Sequence, residues 1–273
     1  MSIAIVTGGA SGIGRAIATS LVHRGDTVVV SDINAEGARK VADKLNTLGR
    51  GKASAAPLDV TDAAAVAELY QAVRDEHGHL DLVFNNAGIS IGGLAEELTL
   101  DHWNRAIDIN LKGVVHGVDA AYRIMLEQGS GHIVNTASLA GLVPMPIGIP
   151  YTATKHAVVG LSLGLRAEAA GRGVKVSVVC PSFVDTPLLT NVNPGLPETA
   201  MSGNATEDIK KAVPRLYTAE KLARDIIRGV DRNKALIVAP AHGRAAWRGV
   251  RLNPAAAVRV AQFAVDKVLS GKK

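Results

Sequence analysis

Ile3-Ala-Ile-Val-Thr7-Gly-Gly-Ala-Ser-Gly-Ile-Gly14 is the stretch that decides the fold. A short β-branched run, Ile3–Val6, passes directly into a glycine-rich turn, and a helical pattern follows over about 13–24. Glycines at 8, 12 and 14 let the backbone turn tightly and approach a pyrophosphate, whose charge suits a helix N-terminus. Their spacing is Gly-x-x-x-Gly-x-Gly rather than Gly-x-Gly-x-x-Gly. The context of a dinucleotide site is nonetheless complete: strand before, helix after, a second strand at Thr27–Val30, and an acid, Asp32, about 20 residues on. A carboxylate there accepts hydrogen bonds from a ribose 2′-OH and repels a 2′-phosphate. With no Lys or Arg among residues 8–14 and uncharged Ile33-Asn34 after the acid, NAD is expected over NADP.

Outward from this stretch the same alternation continues. Apolar runs recur at Leu80–Phe84, His132–Asn135, Lys175–Val179 and Ala235–Val238, with a weaker one near Ala53–Leu58. Helical segments are expected near 35–48, 62–77, 100–127, 152–170 and 218–232, with N-terminal capping residues at Thr61-Asp62 and Thr99. Seven candidate strands alternating with helices predict an α/β fold with a parallel sheet covered on both faces. At 273 residues, 47% hydrophobic and 20% charged, the chain is globular and long enough for one large domain. No repeat or linker divides it, so a second domain is not expected.

Charge is unevenly placed. From Lys234 onward there are eight Lys/Arg and one acid, Asp266, whereas the remainder carries 22 basic and 24 acidic residues. The body is therefore not a nucleic-acid-binding one. Met1 leads within two residues into Ile3–Val6, and no apolar stretch reaches the roughly 18 residues of a spanning helix. The single Cys180 excludes an intramolecular disulfide and a multi-cysteine metal site, and its apolar setting reads as core packing. A cytoplasmic location fits this pattern. No metal is expected, and no histidine stands at ligand spacing from a partner.

The chemistry-bearing candidates fall where strands end. Asp59-Val60 follows the third strand, where it meets an adenine or merely caps a helix. Asn85-Asn86-Ala87-Gly88 follows the fourth and suits a ribose, though alone it is an ordinary turn. Asn110 lies inside the 100–127 helix, where an amide is by default a surface residue. Ser138 closes the fifth strand, facing the ligand crevice of a parallel sheet. Tyr151 and Lys155 are four apart in an expected helix and so share a face. A phenol has a reference pKa of about 10, and a neighbouring ammonium lowers it, which suits a general acid/base.

Taken together, the Thr7–Gly14 turn, Asn85–Gly88, Asn110, Ser138 and Tyr151 with Lys155 resemble the single-domain type of short-chain dehydrogenase/reductase, across about residues 2–240. The resemblance implies an α/β fold with a Rossmann-type doubly wound seven-stranded parallel sheet in a single domain, and a catalytic set of Asn110, Ser138, Tyr151 and Lys155, with Lys155 lowering the tyrosine pKa and holding the nicotinamide ribose, and Asn110 holding a water. It implies cofactor contacts from Gly8, Ser11, Gly12, Ile13, Gly14, Asp32, Asp59, Val60, Asn86, Ala87, Gly88, Tyr151 and Lys155. The match extends over Pro181-Ser-Phe-Val184-Asp-Thr186-Pro187, where Pro181, Val184 and Thr186 would pass the nicotinamide, Thr186 near its carboxamide. Residues 188–217 would form a substrate lid.

The expected activity is hydride transfer between NAD and a secondary alcohol or ketone. Met145, Ile147, Leu188, Leu189 and Met201 suggest a hydrophobic, steroid-like substrate, although they could equally support the lid. A catalytically weak dinucleotide sensor or scaffold is the alternative. The resemblance also implies homodimers or homotetramers, and Gly160 with Gly164 on the catalytic helix allows close subunit approach. The basic extension 241–273 has helical apolar spacing. It is expected to cover the subunit's own pocket, pack on a neighbour, or make peripheral membrane contact, in that order.

Overall fold

The computed structural model describes residues 1–201 and 216–270; the remainder of the expected lid, 202–215, lies outside the described residues. Seven strands form one parallel sheet: β1 Ile3–Thr7, β2 Thr27–Asp32, β3 Lys52–Pro57, β4 Leu82–Asn85, β5 Gly131–Thr136, β6 Val174–Pro181 and β9 Leu236–Ala239. Their order is β3-β2-β1-β4-β5-β6-β9. Two further strands, β7 Val184–Asp185 and β8 Tyr217–Thr218, pair only with each other.

The sheet is doubly wound, as expected. Every residue of β1 is buried, and a strand covered on both faces reads as a continuous apolar run. On one face lie α1 Gly12–Arg24, α2 Ala35–Asn46 and α7 Ala219–Asp231, which pack Ile17, Leu21, Leu45, Leu222 and Ile226 against Val6, Val28, Val30 and Phe84. On the other, α3 Ala63–His77, α5 Gly113–Gln128 and α6 Ile149–Glu168 meet Ile5, Val29, Val83 and Ile133. β3 is the outer strand and is mostly exposed, which is why its sequence signal is the weakest. The Asn46 amide pairs with both backbone groups of Ala53 and blunts that edge.

From β1 the chain winds outward to β2 and β3, then returns to β4 on the other side of β1. The switch point between β1 and β4 is where open α/β sheets bind ligands, beyond the strands' carboxyl ends. Thr7, Asp32, Asn85 and Thr136 end four of these strands.

One expected element is corrected. The continuous helix expected over 100–127 is α4 Leu100–Ala106, then a π-helical segment Ile107–Lys112, then α5. Hydrophobic periodicity does not register one widened turn. The basic extension is two helices, α8 Ala241–Leu252 and α9 Pro254–Ser270, because Asn253-Pro254 interrupts the pattern.

Candidate active site

A cleft of about 640 Å³ runs across the carboxyl ends of the strands. Apart from Gly14 and Asn110, every residue expected in the site lines it, from Gly8, Ser11, Gly12 and Ile13 through Asp32, Asp59-Val60 and Asn86-Ala87-Gly88 to Ser138, Tyr151, Lys155, Pro181, Val184 and Thr186.

The glycine turn is built by close backbone approach. Gly8 and Gly12 have φ of +65° and +50°. A Cβ at Gly14 would stand 2.1 Å from the Gly8 carbonyl oxygen, and one at Gly12 would meet Thr186 at 3.2 Å across the cleft. Gly14 thus shapes the turn from behind, and Gly12 keeps open a backbone cradle. Ser11 is the N-cap of α1, whose N-terminus points into the cleft's glycine end. At the end of β2, Asp32 accepts hydrogen bonds from the backbone N–H groups of Ala10 (3.0 Å) and Asn34 (2.9 Å). Its carboxylate is therefore aimed before any ligand arrives.

Asp59 is exposed and does not cap α3; Asp62 does that, accepting from Ala65 N–H at 3.0 Å. The Thr61 backbone N–H and then its hydroxyl hold the Asp59 carboxyl below the usual range, with the charge of Arg105 adding to them. Arg105 is a cleft-lining cation that the sequence reading did not single out.

Asn85 and Asn86 divide their labour. Asn86 lines the cleft and its amide donates to Thr7 O at 3.0 Å, while the Thr7 hydroxyl oxygen accepts from the N–H groups of Asn86 and Ala87. Asn85 turns inward, accepting from the buried Tyr70 hydroxyl at 3.1 Å and donating to Asn135 at 2.9 Å. Asn135 donates in turn to Ser162. This chain crosses beneath the site and joins α3, β4, β5 and α6.

At the reactive end, the Ser138 hydroxyl oxygen accepts from Ala140 N–H at 3.1 Å, and Ser138 lines the cleft together with Tyr151. Lys155, 3% exposed, donates from Nζ to Thr136 O at 2.9 Å. Its Nζ lies 5.6 Å from the Tyr151 ring centroid. Burial pushes the Lys155 ammonium down to about 8 and the buried Cys180 thiol up to about 12.

The expectation that Lys155 depresses the tyrosine is corrected. Burial pushes the Tyr151 phenol above its ordinary value, with only the Ser138 side chain opposing. Desolvation weakens the ammonium charge and disfavours the phenolate together.

Asn110 is also corrected as a surface residue, since it is 0% exposed. It sits in the π-helical segment, and its amide is used twice by Ile89, accepting from N–H at 2.8 Å and donating to O at 3.0 Å. It thereby fixes the loop after Gly88: a Cβ at Gly88 would lie 3.0 Å from Asn110 Oδ1 and 3.6 Å from Lys155 Nζ. Thr136 went unnoticed, although a hydroxyl residue closing a strand is the signal that marked Ser138.

Beyond the catalytic groups the cleft is lined by Ile89, Ile91, Met145, Ile147, Leu188, Leu189, Val192 and Met201, and its charged lining residues are four, Asp32, Asp59, Arg105 and Lys155. The described part of the lid is anchored here. The Asn193 amide accepts from Gly92 N–H and donates to Gly92 O, at 3.0 and 2.8 Å.

A parallel sheet with a glycine cradle at its switch point and a Ser-Tyr-Lys cluster at the far end of one cleft defines a dinucleotide-binding oxidoreductase. Comparison agrees. The short chain dehydrogenase family model matches residues 2–206, and the chain belongs to that family. It is 38% identical to an uncharacterised oxidoreductase of Staphylococcus aureus (strain USA300) over 219 residues, 80% of this chain and 92% of that one. Among solved structures, a short chain dehydrogenase/reductase from Burkholderia phymatum in complex with NAD is similar at 32% identity and a TM-score of 0.83, covering 90% of this chain and 92% of that one. Levodione reductase is similar at 29% identity and a TM-score of 0.76, covering 87% and 94%.

Proposed function

We propose that the protein transfers a hydride between NAD and an uncharged, apolar secondary alcohol or ketone. The carrying observation is the Ser138–Tyr151–Lys155 cluster, joined in one cleft to the Gly8–Gly14 cradle. The residues present suit a nicotinamide dinucleotide: the cradle that a Cβ at Gly12 would fill, the N-terminus of α1, and a preoriented Asp32 carboxylate where a ribose diol would lie. Asp32 supports NAD, because a 2′-phosphate beside it would bring two negative charges together. The relative from Burkholderia phymatum is an NAD complex, which supports the same choice. When bound, the nicotinamide accepts or supplies the hydride.

The chain's own residues manage the proton. With its pKa raised, Tyr151 rests as a phenol at neutral pH, the form that donates a proton to a carbonyl oxygen. Ser138 is oriented by Ala140 and directs its hydroxyl to the same oxygen, stabilising charge as it develops. In the reverse direction Tyr151 takes the alcohol proton while Ser138 holds the alkoxide oxygen. Lys155, tied to Thr136 O, supplies the one buried cation near these groups among the described residues. The apolar wall around Met145, Ile147, Leu188 and Met201 favours a substrate without charge. Assembly as a homodimer or homotetramer belongs to this reading.

Tyr151→Phe tests it. Turnover of a ketone panel with NADH is expected to fall at least about a thousandfold, more than a positioning defect alone would cause. NADH binding by fluorescence is expected to stay near that of the parent. Comparable turnover in the variant would end the assignment.

A further inference from the structure

The last two helices take no part in the cleft: no described residue of α8 or α9 lines it, so they do not cover the subunit's own pocket. Among the described residues, those of α8 make the hydrogen bonds that seat the extension on the body. Arg244 donates to Val238 O at 2.9 Å, Trp247 packs against the buried cluster that includes Leu139 and Val158, and His242 Nε2 lies 3.2 Å from the Ser182 hydroxyl. α9 packs against α8, and none of its residues whose burial is described is buried. Val260 and Phe263, three apart on one face, are 72% and 73% exposed, and Leu252 at the helix junction is 88% exposed. No described helix is long and apolar enough to cross a membrane.

Cations flank these apolar residues in the sequence. From Ala241 on, Arg244, Arg248, Arg251, Arg259, Lys267, Lys272 and Lys273 stand against the single acid Asp266. Arg248, Arg251 and Arg259 are exposed. A helix with exposed Val and Phe, basic flanks and too little length to span has the make-up of an interfacial element.

We propose that α8 and α9 dock this enzyme on an anionic membrane surface. Leu252, Val260 and Phe263 enter the boundary between headgroups and acyl chains, and Arg248, Arg251 and Arg259 meet the lipid phosphates. The charge is the argument for lipid over a second copy: a two-fold contact of this face with itself would bring the two sets of arginines together. Since α8 starts beside Ser182, which lines the cleft, docking would hold the site close to the bilayer. That consequence matters for catalysis only if the substrate is apolar, as proposed above; the docking does not depend on it.

The test is flotation of the full-length protein with vesicles of phosphatidylcholine alone and of phosphatidylcholine with phosphatidylglycerol. Binding is expected only with phosphatidylglycerol, still measurable at ionic strength about 0.15 M and weakened above it. A Val260→Ser/Phe263→Ser variant is expected to bind at least about tenfold more weakly. Arg248→Gln/Arg251→Gln should lose roughly fivefold per residue. Both variants should reduce NAD with a water-soluble alcohol as the parent does, and flotation remains readable even if no alcohol is turned over. Absence of flotation with phosphatidylglycerol at about 0.15 M, or equal flotation of the Ser variant, would overturn the proposal. So would light scattering in which the Ser variant dissociates an assembly, which would assign the face to a second copy.

Discussion

Tyr151 and Lys155 show how burial sets the resting state of a catalytic pair. Both groups lose hydration, so the phenol rises and the ammonium falls to about 8. The consequence for stability has a definite sign. Unfolded, the lysine titrates at its ordinary 10.5; folded, it titrates near 8. Below pH 8 both states are protonated and the full burial penalty opposes folding. Between 8 and 10.5 the unfolded chain holds a proton that the folded one has lost, so stability from this group rises with pH. Lys155→Met is therefore expected to be inactive yet more stable than the parent at pH 7, by about 1–3 kcal/mol, with the gap narrowing toward pH 10. Urea denaturation at the two pH values measures this; a destabilised variant at pH 7 would contradict it. At the other end of the cleft, Asp32→Ser removes the carboxylate held by Ala10 and Asn34. Affinity for NAD is expected to fall about ten- to a hundredfold, and that for NADP, which the proposed preference makes the weaker ligand of the parent, to approach it. Titration calorimetry with both dinucleotides reads the change directly.

Elements carry information that single residues do not. The amides of Asn85 and Asn135 link Tyr70 to Ser162 through the interior, all of them buried or nearly so. Gly117 makes room for them, since a Cβ there would fall 2.0 Å from Asn85 Oδ1. Asn135→Leu would strand the buried Asn85 Nδ2 and take one bond from Ser162, which keeps its bond to Val158 O, and a loss of about 1–3 kcal/mol by denaturant unfolding is expected. Because the chain reaches β4 just before Asn86, kcat is expected to fall with stability even under conditions where the variant is fully folded. The paired strands themselves were legible, because buried parallel strands are unbroken apolar runs. The amide chain was not, because an Asn at a strand end looks the same whether it faces the cleft or the core. The π-helical segment escaped for a related reason: it shifts Asn110 inward without altering the apolar pattern around it.

At the scale of the molecule, the outer face of α6 bears on assembly. Gly160 and Gly164 are exposed, a Cβ at either would meet nothing within 4 Å in the subunit, and Leu163 between them is 37% exposed. Close packing of this face on a second copy is the proposal, with dimers or tetramers expected by light scattering. Gly164→Arg, which the isolated subunit has room for, is expected to yield smaller species without lowering subunit stability; an unchanged mass would place the interface elsewhere. The parallel sheet covered on both faces was readable in advance from alternating strands and helices, whereas the strand order and its switch point came only from the tertiary structure. The division of the basic extension into a seated helix and an exposed one was not readable either, as apolar spacing alone does not say what a helix rests on.

Local order along the chain was enough to specify the glycine turn after β1, the acid after β2, and a phenol and an ammonium one helical turn apart, because each depends on contacts within a few residues. The tertiary structure decided which of two adjacent asparagines faces the ligand, that Asn110 is interior, and that Lys155 hydrogen-bonds a carbonyl on β5. It also decided the sign of the tyrosine's shift. Those outcomes rest on desolvation and on partners tens of residues away, which only the packed sheet and helices bring together.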